Sequence, residues 1–341
     1  MRDLVRNVVN LDALGGVVNE EQATAWKQRL HLLIEQGPGA VSAIREFLSG
    51  NSDIDFGSAG KQLLGYPTAR AAMIDALGQI GGQSSVDTMT ELLGSTADPR
   101  EIALLAQNLD KLQPGIYQAA ALDAARQTLA MAAQGNLPSR DVAPLFELIQ
   151  RYGGASAVSD LLQNAGQWNY YAMMTLGQLP DGAGISALTQ VASGQAGAGS
   201  GAKIAALQMV AQAASQSDEA RTFLVEQARQ GAFSAYLWAA LMPILAGDQM
   251  TFQNSAFEDP LAKVPSNELR MAHLSIGNQN YLTAPLGVMT ADQAQRQMAL
   301  IQALSDVTSD PEGRSALQQA KNLLQQRSAQ FAAVPAPGTG P

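Results

Sequence analysis

Apolar side chains return at helical spacing along nearly the whole chain. Leu30, Leu33 and Ile34, then Ile74, Leu77 and Ile80, then Leu104, Leu105 and Leu109 each mark one stripe of a 3.6-residue period. No sustained alternation of β-branched and polar residues interrupts them, so the pattern predicts an all-α fold without sheet. Helix starts are expected at Ser84-Ser85-Val86-Asp87, Asp98-Pro99-Arg100-Glu101, Thr290-Ala291-Asp292-Gln293 and Ser309-Asp310-Pro311-Glu312. Each sets a hydrogen-bond acceptor three residues ahead of an acid or amide, where it can satisfy the orphan N–H groups of a first turn. Two of them put Pro at the first helical position, where its missing N–H costs nothing. Gly37, Gly81-Gly82, Gly153-Gly154 and Gly247 follow apolar runs and predict helix stops. The Ala-rich stretch Ala119 to Ala133 predicts a slim helix that lets its neighbours approach closely.

Repetition emerges when the last apolar residue before each stop or turn is aligned: Ile34, Ile80, Leu112, Tyr152, Leu179, Val210 and Leu245. The spacing averages roughly 35 residues, enough for two helices and two turns. It ranges from 27 residues (Tyr152 to Leu179) to 46 (Ile34 to Ile80), which excludes strict TPR or ankyrin arrays. The segment from Ala69 to Gly82, with Arg70, Leu77-Gly78 and Gly81-Gly82, runs into Val86 to Leu93 and then Asp98-Pro99. This order resembles the HEAT-like repeat of the phycobilisome-lyase type: Arg, small-residue pairs, Leu-Gly, a glycine turn, a second helix, then Asp before the next pair. A second copy, Ala172 to Gly182 with Ile185, Leu188 and Val191, keeps Leu176-Gly177 and the turn but lacks the Arg. Five further copies match loosely. The resemblance implies an α-α superhelix, a HEAT- or armadillo-like solenoid, over residues 20–250. Such arrays mostly bind partners, and a few are associated with lyase or hydroxylase chemistry.

Residues 1–19 are read as a lead-in to that array. From Asp248 to Thr290 the pattern breaks, with Phe252, Phe257, Pro260, Pro265 and Pro285 among Asn and Ser, and an irregular connection holding one short helix near Asn267 to Ile276 is expected. Helices over about 291–307 and 311–331 should then form a hairpin capping the array, closing a C-terminal region of 251–331. The final stretch, 332–341, is a Pro/Gly tail expected to be disordered.

Composition narrows the partners. Only 15% of the residues are charged, with 21 basic against 30 acidic side chains and a net charge of −9, and no Lys/Arg block follows a phosphate backbone. Nucleic acid and anionic membrane surfaces are therefore excluded as expected partners. A polar, charge-poor surface predicts recognition by hydrogen bonds and aromatics more than by salt-dependent steering. The sequence holds no cysteine, which removes disulfides, thiolate nucleophiles and zinc ribbons, and fits an extracytoplasmic or periplasmic bacterial protein slightly better than a cytoplasmic one. Charge at Arg2, Asp3 and Arg6 breaks any signal-like apolar run, so a signal or anchor would have to precede Met1. The apolar stretch Ala235 to Ala246 has 12 residues and contains Pro243, too short for a span and expected as a buried helix with Tyr236 and Trp238 in the core.

Chemistry-bearing motifs are few. The histidines, His31 and His273, stand 242 residues apart without ligand-spaced companions, and are expected as packed or boundary side chains. Gly194 to Lys203 imitates a phosphate loop, but Ala202 and Ile204 replace the required Gly and hydroxyl residue, predicting a plain inter-helix loop. Asn51, Asp53 and Asp55 alternate oxygens as a calcium loop does; Gly57 falls one place late and Gln62 stands where the bidentate Glu belongs, so a capped turn is expected and no metal. Neither a catalytic set nor a cofactor is implied. Trp168, Asn169, Tyr170 and Tyr171, following Gly166-Gln167, are the candidate partner-binding residues, since aromatics with polar tips supply much interface energy; the competing reading divides them between helix faces and buries at least two. The expected function is a non-catalytic scaffold for a protein partner. The alternatives are a lyase-like or cofactor-handling HEAT protein and a purely structural envelope component.

Overall fold

Helix-forming pattern, caps and glycine stops together build a predominantly helical protein. The structure is a computed structural model that describes residues 1–10, 18–50, 52–137, 141–195, 199–253, 255–257, 272–276, 279–285 and 289–332. The chain separates into two compact units, Met1–Leu148 and Ile149–Pro341.

In the first unit the helices are α1 (Arg2–Val9), α2 (Glu20–Glu35), α3 (Pro38–Leu48), α4 (Gly57–Leu64), α5 (Ala69–Ile80), α6 (Gly82–Leu93), α7 (Pro99–Leu112) and α8 (Gln118–Ala133). The stretch read as a lead-in thus opens with a helix, which packs on α2 and α3. Trp26 of α2 is fully buried, donates its indole N–H to Val8 O at 2.8 Å and meets Phe56 edge-on. Alternate helices pack in two rows: α2 on α5 and α5 on α7, beside α3 on α6 and α6 on α8. Row position sets the burial pattern. The helix α5, covered by neighbours in both rows, buries Ala69, Ala72, Met73, Ile74, Ala76 and Leu77. Its thin Ala face allows this, because a larger side chain at each contact would hold the axes apart.

The second unit repeats the scheme. Helix α9 (Ala143–Tyr152) spans the division, and α10 (Val158–Asn164), α11 (Asn169–Gly177), α12 (Ile185–Ser193), α13 (Ser200–Ala213), α14 (Asp218–Arg229), α15 (Ala235–Leu245), α16 (Ala291–Val307) and α17 (Pro311–Ala332) follow. One row runs α11, α13, α15, α17 and the other α12, α14, α16, each helix packing on the next in its row. The last two helices, the expected capping hairpin, therefore continue both rows. Among the described residues no helix is long and apolar enough to cross a membrane.

Two of the four start signals cap as expected. Asp98 accepts from the N–H groups of Arg100 and Glu101, and Thr290 with Gln293 closes a reciprocal capping box. Two expectations shift. The α6 helix begins at Gly82, ahead of Ser84, because Gly81 and Gly82 both take positive φ and turn the chain directly into it. At the last helix the cap is Asp310, whose carboxylate accepts from Gly313 N at 2.7 Å.

The expectation of no sheet is overturned. Strands β1 (Gln249–Phe252), β2 (Ala272–Ile276) and β3 (Gln279–Ala284) form a three-stranded antiparallel sheet in the order β1-β3-β2. Met250 lies opposite Thr283, and Leu274 opposite Tyr281. Residues 272–276, expected as helix, are strand, while the rest of that stretch lies outside the described residues. The strand signal was hidden because the central strand β3 is buried on both faces: Gln279 and Tyr281 to Ala284 are all buried, leaving no polar-apolar alternation to read.

Candidate functional site

Leu-Gly has the same physical use in α5 and in α11. An added Cβ on Gly78 of α5 would sit 2.6 Å from Asn108 Cγ of α7, and one on Gly177 of α11 would sit 2.6 Å from Met209 Cε of α13. The glycine lets each helix touch the next in its row. Arg70 ties α5 to elements on both sides. Its Nη1 donates to Leu48 O (2.8 Å) and Gly50 O (2.7 Å), and its Nη2 donates to Glu101 Oε2 at 3.0 Å. Both side chains are nearly buried, 12% and 11% exposed. The hydrogen bond to Glu101 raises the guanidinium pKa further above its usual value, against the opposing effect of burial.

In the second Leu-Gly segment, superposing Leu176-Gly177 on Leu77-Gly78 puts Asn169 where Arg70 stands and Gln167 where the capping Thr68 stands. Neither original contact survives, and a side chain from the sheet supplies both. Gln279 of β3, 4% exposed, accepts through Oε1 from Tyr170 N (2.8 Å) and Tyr171 N (3.0 Å), capping α11. Its Nε2 donates to Asn169 Oδ1 at 2.8 Å. The Tyr171 hydroxyl accepts from Asn280 N at 2.7 Å, and Tyr170 stacks on Tyr281 with ring centroids 4.5 Å apart. Burial, then the hydrogen bond to Tyr170, push the Tyr281 phenol above the ordinary tyrosine range.

The aromatic candidates are internal. Trp168 is 3% exposed, Tyr170 7% and Tyr171 0%, with Asn169 partly buried, so their rings pack within the chain instead of forming an exposed cluster. Among the described residues the exposed aromatic is Tyr236, 67% accessible and expected in the core; Trp238, on the opposite side of that helix turn, is buried against Phe233. Asp53 Oδ1 accepts from the N–H groups of Ile54 and Arg70, and Asp55 Oδ1 from Gly57 N, so both carboxylates cap backbone. Asn51 lies outside the described residues. His31 is exposed and 3.1 Å from Glu35 on its own helix rather than packed. The side chain of His273 is outside the described residues.

The sheet also creates the principal cavity, which sequence reasoning missed. The chain leaves α11 through Leu179-Pro180-Asp181-Gly182, where Asp181 takes φ 55°, the one positive value at a non-glycine residue among those described. Asp tolerates this left-handed conformation better than most side chains. Alongside lie the end of α13, the start of α14 and the edge strand β1. Met250 N donates to Gln212 Oε1 at 2.8 Å, and Met250 O accepts from Gln178 Nε2 at 3.2 Å. Two helices thereby cover the strand edge with side-chain amides. Between these elements opens a cavity of about 790 Å³, lined by Gln178, Asp181, Gln212, Gln216, Glu219 and Gln249 among others. Its size falls in the range of roughly 300–1,000 Å³ that holds specific ligands.

No protein-family model and no curated protein matches the sequence. The cavity's chemistry must be read from its own residues. Side-chain amides offer donors and acceptors together, and the two carboxylates are at its rim, with no Lys or Arg in the lining. A second groove of about 520 Å³ between α12 and α14 adjoins it, sharing Glu219 and adding Asp218, Thr222 and Phe223.

Proposed function

We propose that this protein is a HEAT-like helical-repeat scaffold that holds a protein partner across successive helical pairs. The two-row packing within each unit and the shared use of Leu-Gly at Gly78 and Gly177 support the repeat reading. The observation that carries the binding reading is the cavity beside β1. Groups from the turn after α11, the turn after α13 and the strand converge on it, and a surface assembled from consecutive repeats is how such arrays engage extended partners.

The test is site-specific photo-crosslinking in the full chain, in the cells that make it. A photoreactive side chain at Gln216, in the cavity, should yield a discrete adduct containing a second protein; the same group at the exposed Gln302 of α16 should not. No protein adduct at Gln216, or equal adducts at both positions, overturns the proposal.

A further inference from the structure

The cavity lining specifies the kind of segment it fits, an inference that rests on the scaffold reading above. Gln178 and Gln212 line the cavity and are each engaged with Met250 through one end of their amides, Nε2 of Gln178 and Oε1 of Gln212, so that Gln178 Oε1 and Gln212 Nε2 are not used in those bonds. Gln216 and Gln249 make no side-chain hydrogen bond among the described residues. These four amides present donors and acceptors together, the complement of an extended peptide backbone, which carries one N–H and one C=O per residue. Charge sets the second condition. Asp181 and Glu219 on the rim, and Asp218 in the adjoining groove, form no ion pair among the described residues. An incoming Lys or Arg meets unpaired carboxylates there, whereas an acidic segment meets repulsion. Phe223 in the same adjoining groove gives the aliphatic stem of a long cationic side chain an apolar surface to lie on.

We infer that the cavity between α11, α13, α14 and β1 receives an extended, Lys- or Arg-bearing segment of a partner protein, its backbone held by the glutamines and its cations by Asp181, Glu219 and Asp218. This adds a salt-sensitive contribution that a charge-poor composition does not suggest, because it resides in three side chains rather than in the net charge.

The probe is a fluorescently labelled peptide of alternating Lys and Ser, titrated into the full chain at low and physiological salt, with an alternating Glu and Ser peptide as counterpart. The test variant carries Asp181→Asn and Glu219→Gln. Asn suits the positive φ at position 181 at least as well as Asp, so the turn is retained. The control variant carries Glu20→Gln and Glu21→Gln, an equal change in net charge on exposed positions of the first unit. Expected are binding of the Lys peptide only, affinity falling as salt rises, a loss of roughly fivefold or more in the test variant and little change in the control. Absence of Lys-peptide binding, equal binding of the Glu peptide, or equal losses in both variants overturns the inference. Thermal melts of both variants verify that they are folded. The scaffold reading fails separately: a Gln216 adduct whose captured segment is acidic or apolar keeps the scaffold and removes the basic segment, while no adduct removes the scaffold itself.

Discussion

Replacing Gln279 by Leu probes the join between sheet and helices. The side chain is 4% exposed and its Oε1 serves two N–H groups of the first turn of α11, at 2.8 and 3.0 Å, while its Nε2 serves Asn169. Leu keeps the volume and removes all three hydrogen bonds. Tyr170 N retains Asn169 Oδ1 at 2.9 Å, so one of the two cap bonds has a local substitute. Losing a helix cap costs about 1 kcal/mol, and withdrawing a partner from a buried polar group costs about 1–3 kcal/mol. Burying two more apolar carbons returns part of that, leaving a net loss of about 2 kcal/mol. For a unit of this size each kcal/mol moves the midpoint by roughly 2–4 °C, so the second unit should melt about 4–8 °C lower. Differential scanning calorimetry reads the shift, and hydrogen exchange should show faster exchange at Tyr170 and Tyr171 with the first unit unchanged. Gln279→Glu keeps an acceptor at the positive end of the helix and should recover part of the loss. An unchanged transition with unchanged protection at Tyr171 refutes the view that the sheet caps this helix.

Four further outcomes follow from the packing. Gly78→Ala should destabilise by about 1–2 kcal/mol in chemical denaturation, since a Cβ lies 2.6 Å from Asn108 Cγ and Asn108 itself bonds Ile74 O; the gain in helix propensity offsets only about 1 kcal/mol of the overpacking. Gly177→Ala should cost less, because the nearest atom is the mobile end of Met209; an equal or larger loss contradicts that ordering. Trp168→Ala should lower stability by about 3–5 kcal/mol, as expected of a core side chain, and a stable variant with altered binding alone would show the ring to be an exposed anchor after all. Burial, then the hydrogen bond to Asp75, hold the Tyr66 phenol above the ordinary tyrosine range. Because its folded pKa exceeds the unfolded one, the stability it contributes is complete below about pH 10 and is lost as pH rises toward the folded value. Urea midpoints should fall more steeply above about pH 10 in the native protein than in Tyr66→Phe, and parallel profiles contradict the assignment.

Local rules carried the helices a long way. Asp98, Thr290 and the glycine stops act within one turn of the residues that reveal them, so periodicity and cap chemistry place α7, α16 and α17 almost to the residue. Features built from distant partners stayed out of reach. The cavity joins Asp181 to Glu219 and Gln249, residues from three separate segments, none of which forms a motif. Trp168 to Tyr171 illustrates a different difficulty. Residue type announces a binding-capable surface, but whether that surface faces solvent or another part of the same chain depends on contacts about a hundred residues away.

Even so, one trace of that distant contact was present in the chain. The first Leu-Gly segment carries Thr68 to cap its helix and Arg70 to hold Glu101, and the second carries Gln167 and Asn169 in those places. A helix start stripped of its cap and its ion pair, yet followed by seven consecutive buried residues from Tyr170 to Leu176, needs its orphan N–H groups satisfied from elsewhere. Gln279 meets that need, and the strand that carries it brings β1 against α11 and α13, where the cavity forms. The segment that lacks the arginine is thus the one on which the sheet docks: where Gln167 and Asn169 stand in place of a cap and an ion pair, Gln279 supplies the hydrogen bonds, and the sheet it belongs to also lines the cavity.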